Sequence, residues 1–161
     1  MEIRKQAPCP QVRTVHLAAF PTAEEADIVD RLDRDGDVLV SLVAEEAGEI
    51  VGHILFERVM IGDIPAASLA PMAVKPEWQR RGIGSALVRK GLEECRVIGE
   101  RIVVVLGHAD YYPRFGFSEE LARPLEGFAA GPVWMAMELV PGALAGLHGK
   151  VLYPKAFFQT G

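Results

Sequence analysis

The 161-residue chain predicts a mixed α/β fold, a central and mostly antiparallel sheet flanked by helices. Two observations carry this. Apolar runs separated by short polar turns follow one another between residues 39 and 74, as in a meander. A segment of helical character then separates two strand-like runs ending at Val74 and Leu106, which makes a crossover within the same sheet.

Taken in order, Glu2–Lys5 reads as a first short strand, and residues 11–20 and 23–34 as two helices. Thr22 is placed to cap the second helix, with Glu24, Glu25 and Asp27 in a first turn where the helix dipole favours acids. Residues 39–44 form a strand, Glu45-Glu46-Ala47-Gly48-Glu49 the turn, and residues 51–61 the return strand. Gly62-Asp63-Ile64-Pro65 turns the chain again into a strand over 66–74. Residues 85–94 are helical, 101–106 form the next strand, and 133–140 a late strand stopped by Pro141-Gly142. The tail to Gly161 carries Val151-Leu152-Tyr153-Pro154, to which no place in the sheet is assigned.

Composition bounds the function. With 50% hydrophobic residues the chain suits one domain over 1–161 that needs no staples. Cys9 and Cys95 stand far apart in unlike contexts, as reduced thiols of a cytoplasmic protein do. No run approaches the ~20 apolar residues that would span a membrane, and Met1-Glu2-Ile3-Arg4-Lys5 lacks the apolar stretch of a signal peptide. A net charge of −5 argues against nucleic acid as the main partner. Lys75, Arg80, Arg81, Arg89 and Lys90 nevertheless form a local basic cluster, read either as a solvated helix face or as a phosphate site.

The glycines favour the phosphate site. Arg80-Arg81-Gly82-Ile83-Gly84-Ser85-Ala86 joins a strand to a helix, where unpaired first-turn N–H groups and the helix dipole attract an anion. A P-loop would need Lys followed by Ser or Thr after the second glycine, and a Rossmann turn a third glycine; neither is present.

The run Met72-Ala73-Val74-Lys75-Pro76-Glu77-Trp78-Gln79-Arg80-Arg81-Gly82-Ile83-Gly84 resembles the acetyl-coenzyme A motif of the GNAT N-acetyltransferases, Gln/Arg-x-x-Gly-x-Gly/Ala after a strand. A second stretch, Tyr111-Tyr112-Pro113-Arg114-Phe115-Gly116-Phe117, is similar to that family's aromatic-Tyr-x-x-x-Gly-Phe segment. The resemblance is sharp over residues 69–117 and is closest to small bacterial acetyltransferases with Gly-His here at Gly107-His108. It implies a GNAT-like fold and transfer of an acetyl group from acetyl-CoA to a primary amine, on a small molecule or peptide, by direct attack in a ternary complex. It also implies that the Met72 and Val74 backbone binds the pantetheine arm and acetyl carbonyl, and that Ala73, Gln79, Arg80, Arg81, Gly82, Ile83, Gly84 and Ser85 belong to the same cofactor site. Dimers are common among such proteins; the sequence itself does not display one.

Amide formation asks for an acid, a base and donors for a developing oxyanion. Pro71 cannot join a regular ladder; it marks either a sheet edge or a break in the strand before Met72, which would free such donors. Tyr112 is the candidate acid: a phenol with pKa ~10 is protonated at neutral pH and can donate to a thiolate. Tyr111 is the alternative. The base is open among Glu57, His53, His108 and Asp110, with His53 and Glu57 on one strand face by period-two alternation. His16 and His148 stand outside any cluster, and no spacing suggests a metal. Many family members place an asparagine before the tyrosine; here Gly107-His108-Ala109-Asp110 occupies that region. Two rivals remain: a non-catalytic acyl-CoA sensor or partner subunit, and a nucleotide-binding protein using the same turn.

Overall fold

Backbone pairing turns the meander into a sheet in the computed structural model, which describes residues 1–158. The strands β1 (Glu2–Lys5), β2 (Val38–Glu46), β3 (Glu49–Ile61) and β4 (Ile64–Val74) are antiparallel neighbours. β4 pairs in parallel with β5 (Ile102–Leu106), and β7 (Trp134–Glu138) closes on β5 antiparallel. Two short strands, β6 (Leu125–Glu126) and β8 (Gly149–Leu152), pair with each other, and β8 joins β3 at Met60 and Ile61, making eight strands among the described residues. The expected mixed, mostly antiparallel sheet flanked by helices is the observed fold.

Alternation along β2 and β3 decides which helix covers which face. Leu42, Ile54 and Phe56 pack with Leu87, Val88 and Leu92 of α3 (Ile83–Val97). The intervening Val43 and Leu55 pack with Val12 of α1 (Pro10–Ala19) and with Val29 and Leu32 of α2 (Glu24–Asp35). Helix α3 sits close because Gly91 faces Phe56, whose ring fills the space a Cβ would need.

Several boundaries move from the sequence expectation. Helix α3 starts at Ile83 rather than 85 and runs to Val97, since Gly82 takes the left-handed cap conformation and the apolar stripe continues to Cys95. β4 begins at Ile64, with Pro65 opposite Met60 near the hairpin end. Thr22 is not the cap of α2; Ala23 is, and the Thr22 hydroxyl accepts the Glu24 N–H at 3.3 Å from one position earlier. The single-turn helix α4 (Glu119–Ala122), capped by Ser118, and the strands β6 and β8 had no counterpart in the sequence reading. Residues 159–161 of the tail lie outside the described residues. Among the described residues no helix is long and apolar enough to cross a membrane.

Candidate active site

The site begins where two parallel strands part. β4 and β5 pair only from Ala67↔Val103 to Leu69↔Val105, yet β4 continues to Val74 against β3. On the β3 side the register slips between Ile54↔Met72 and Phe56↔Leu69, so Ala70 and Pro71 are accommodated as a bulge. Lys75 N–H donates to Val51 O across that pairing at 2.8 Å. Strand alternation therefore turns the Met72 and Val74 N–H groups the other way, into the gap left by β5, while Ala73 faces β3. The Gln79 side chain spans back to donate to Val74 O at 2.9 Å.

Helix α3 aims its N-terminus at the same gap. Its first intrahelical bond runs from Ala86 N–H to Gly82 O, which leaves the Ile83, Gly84 and Ser85 N–H groups without helical partners. No acid occupies the first turn. Arg80 (φ 64°) and Gly82 (φ 82°) both adopt left-handed backbone, folding the turn tightly beside the helix start. Arg80 and Arg81 are exposed there, Arg81 lying over the Trp78 ring at 4.9 Å. The wider basic cluster disperses: Lys75 lies 3.4 Å from Glu49, Lys90 3.7 Å from Glu94, and Arg89 over Phe115. Only the two arginines of the turn remain beside the glycines.

Tyr111 and Tyr112 close the other wall. The chain leaves β5, and the His108 carbonyl accepts the N–H groups of both tyrosines. Tyr112 is buried against Gly107, Phe115 and Phe117, and burial pushes its phenol up to about 12. The Tyr111 hydroxyl lies 3.0 Å from Ser85 Oγ, in the first turn of α3, and its ring carries the Arg114 guanidinium. That link between the two motifs was not visible in the sequence, because it joins residues 26 positions apart.

An Acetyltransferase (GNAT) domain matches residues 37–119, a span that contains both walls. The chain belongs to the GNAT acetyltransferase family. It is 30% identical over 164 residues to the uncharacterized N-acetyltransferase YhbS of Escherichia coli K12, covering 98% of each chain. It is 46% identical over 112 residues to the uncharacterized N-acetyltransferase YjhQ of the same strain, covering 66% of this chain and 62% of YjhQ. The crystal structure of E. coli YhbS in complex with CoA superposes with a TM-score of 0.91 at 28% identity, over 99% of this chain and 93% of that one. A GNAT acetyltransferase from Brucella melitensis in complex with acetyl-CoA gives 0.80 at 35% identity, over 97% of both chains.

Within this GNAT chain the candidate bases occupy three different settings. His53 is fully buried, with Nδ1 2.8 Å from His16 Nε2 and Nε2 2.8 Å from Ser41 Oγ. Burial and the neighbouring imidazole push it down to about 3. Both ring nitrogens are thus engaged away from the gap, and His16, expected to stand alone, is its partner. His108 and Asp110 are exposed on the β5 turn. Glu57, opposite Ser68 of β4, is fully buried, and neither carboxyl oxygen has a hydrogen-bond partner among the described residues. Burial raises its carboxyl well above the usual carboxylate range. Among the described residues no three His, Cys, Asp or Glu side chains are grouped to hold a metal.

Proposed function

We propose that the chain is an acetyl-CoA-dependent N-acetyltransferase acting on a primary amine by direct transfer in a ternary complex. The observation that carries this reading is the parting of β4 from β5 directly in front of the α3 N-terminus. Acetyl-CoA would supply an activated thioester there. The Ile83, Gly84 and Ser85 N–H groups with Arg80 and Arg81 fit its pyrophosphate, and the one-sided β4 backbone at Met72 and Val74 fits the pantetheine arm and the carbonyl oxygen. The complexes of YhbS with CoA and of the Brucella protein with acetyl-CoA support this assignment.

Tyr112 serves as the acid. Its raised pKa keeps the phenol protonated at neutral pH, so that it can hydrogen-bond and then give its proton to the departing thiolate. Glu57 serves as the base, since of the candidates it alone combines burial with open lone pairs. Its carboxyl is neutral while the pocket is empty, and an arriving cation favours the carboxylate that takes up the amine proton. A cysteine-bound intermediate is not used: Cys95 is buried and its thiol is pushed up to about 12. The free state of Cys9 and Cys95 suits a cytoplasmic location.

Thermal unfolding with acetyl-CoA, CoA, ATP and NAD, followed by thiol-release assays on a panel of amines, tests the reading. A rise in melting temperature with acetyl-CoA and CoA only, and thiol release with an amine, is expected. Binding with no release across the panel would make the chain an acyl-CoA sensor, and stabilisation by ATP or NAD instead would point to a nucleotide-binding protein.

A further inference from the structure

The C-terminal segment builds a second wall that no motif announces. β8 enters the sheet at Met60↔Leu152 and Ile61↔Val151, so the next residue, Tyr153, emerges beside the end of β3. Tyr153 packs onto the apolar cluster that contains Val59, and Phe157 onto the one that contains Leu55. Glu57 lies between Leu55 and Val59 on the same face of β3. Burial lifts the Tyr153 phenol above its usual value, and the nearby Glu57 carboxyl adds to the shift. Phe128 completes the wall, its ring 4.3 Å from Tyr153, 6.1 Å from Phe157 and 5.6 Å from Phe158. Phe128 and Phe158 are 50% and 63% exposed, so this aromatic cluster is open on one side to solvent, while Tyr153 and Phe157 lie on the β3 face that carries the buried Glu57.

We infer that Phe128, Tyr153 and Phe157, with Glu57 beneath them, form the acceptor subsite, and that it takes an alkylammonium ion. Aromatic faces attract a cation by their quadrupole, more strongly where water is excluded, and they accept the carbon chain that carries it. A buried carboxyl group ionises to meet an arriving cation and offers an anionic acceptor no counter-charge. The substrate class is therefore a cationic primary amine on an apolar stem, in preference to amines flanked by carboxylate or phosphate. The word acceptor rests on the acetyltransferase reading; the cation site does not.

Choline, an unreactive cation, and its neutral isostere 3,3-dimethylbutan-1-ol test the site by calorimetry on the whole protein, with CoA titrated in parallel. Choline is expected to bind, the alcohol at least about fivefold more weakly, and Phe128→Leu to weaken choline by about fivefold while leaving CoA affinity unchanged. Phe128 is half exposed, so the variant should fold; Tyr153→Phe, which keeps the ring, gives a second reading and should retain choline binding within twofold. In steady state Phe128→Leu should raise KM for the amine and leave kcat within about twofold. Equal binding of choline and the alcohol would overturn the inference in favour of a plain apolar patch. So would absent choline binding in a protein that binds CoA, including the case where Phe128→Leu alters only self-association by gel filtration. Choline binding without CoA binding would instead sink the acetyltransferase reading and leave the cation site standing.

Discussion

His16 Nε2 lies 2.8 Å from His53 Nδ1 inside the layer between α1 and the sheet, and both rings are fully buried. Their protons follow from the far end of the chain of contacts. Ser41 Oγ donates to Gln6 O at 2.6 Å, so it must accept from His53 Nε2–H at 2.8 Å. His53 Nδ1 is then the acceptor of His16 Nε2–H, and His16 Nδ1 keeps a lone pair with no partner among the described residues. Two neutral imidazoles thus occupy a place the sequence reading had offered to a catalytic base.

This pair should make the protein sensitive to mild acid. Burial holds His16 at about 4 and His53 at about 3, while an unfolded histidine titrates at ~6.5. Below pH ~6.5 the unfolded chain takes up protons that the folded protein refuses, so stability falls with pH from there to about 4. The slope contributed is about 1.4 kcal/mol per pH unit for each histidine. In urea titrations between pH 7.5 and 4.5, the double variant His16→Leu/His53→Leu should show a much flatter midpoint; an unchanged slope would assign the acid sensitivity elsewhere.

Glu57 acts in the opposite direction. Its folded pKa is raised, so the folded protein holds a proton that the unfolded chain has lost above ~4.5. That contribution is complete below ~4.5 and fades as pH rises toward the folded value. Glu57→Gln should therefore gain stability relative to the parent at pH 8, by differential scanning calorimetry, while losing about a hundredfold in kcat. Retained activity in the glutamine variant would remove Glu57 from the base role.

Tyr112→Phe keeps the ring against Gly107 and Phe117 and removes only the acid proton. Turnover should fall by about a hundredfold with CoA affinity held within a few-fold. Parallel losses of affinity and rate would make Tyr112 a packing residue.

At Gly82 charge and backbone can be separated. A side chain there meets nothing within 4 Å, so the cost of substitution lies in the left-handed φ of 82° and in what is placed before the helix. Asparagine tolerates that backbone without charge, whereas aspartate adds a negative group to the anion site. Gly82→Asp should weaken CoA at least about tenfold more than Gly82→Asn by calorimetry. Equal affinities would mean that the α3 N-terminus does not hold phosphate.

The two cysteines should differ in reactivity. Cys95 is buried with its thiol at about 12, and Cys9 is half-buried at the start of α1. A chromogenic disulfide reagent should titrate no more than one thiol in the native protein and two in denaturant. Rapid titration of both natively would contradict the packing of Cys95 on the buried face of α3.

What the sequence determined by itself is local. The strand–turn–helix from β4 into α3 was legible because its glycines and polar break act on their nearest neighbours, and the β2–β3 hairpin because alternation and its turn lie within a few residues. Alternation also assigned His53 and Glu57 to one face of β3. What covers that face was decided only by tertiary structure. His16 arrives from 37 residues upstream and Tyr153 from the opposite end of the chain, and neither leaves a periodic trace near β3. β8 is a strand because β2 begins at Val38, opposite Glu57, and so leaves the edge of β3 at Met60 and Ile61 open to pair. Val151 and Leu152 of this short strand satisfy that edge, a demand set by unpaired backbone groups elsewhere in the fold rather than by their own side chains.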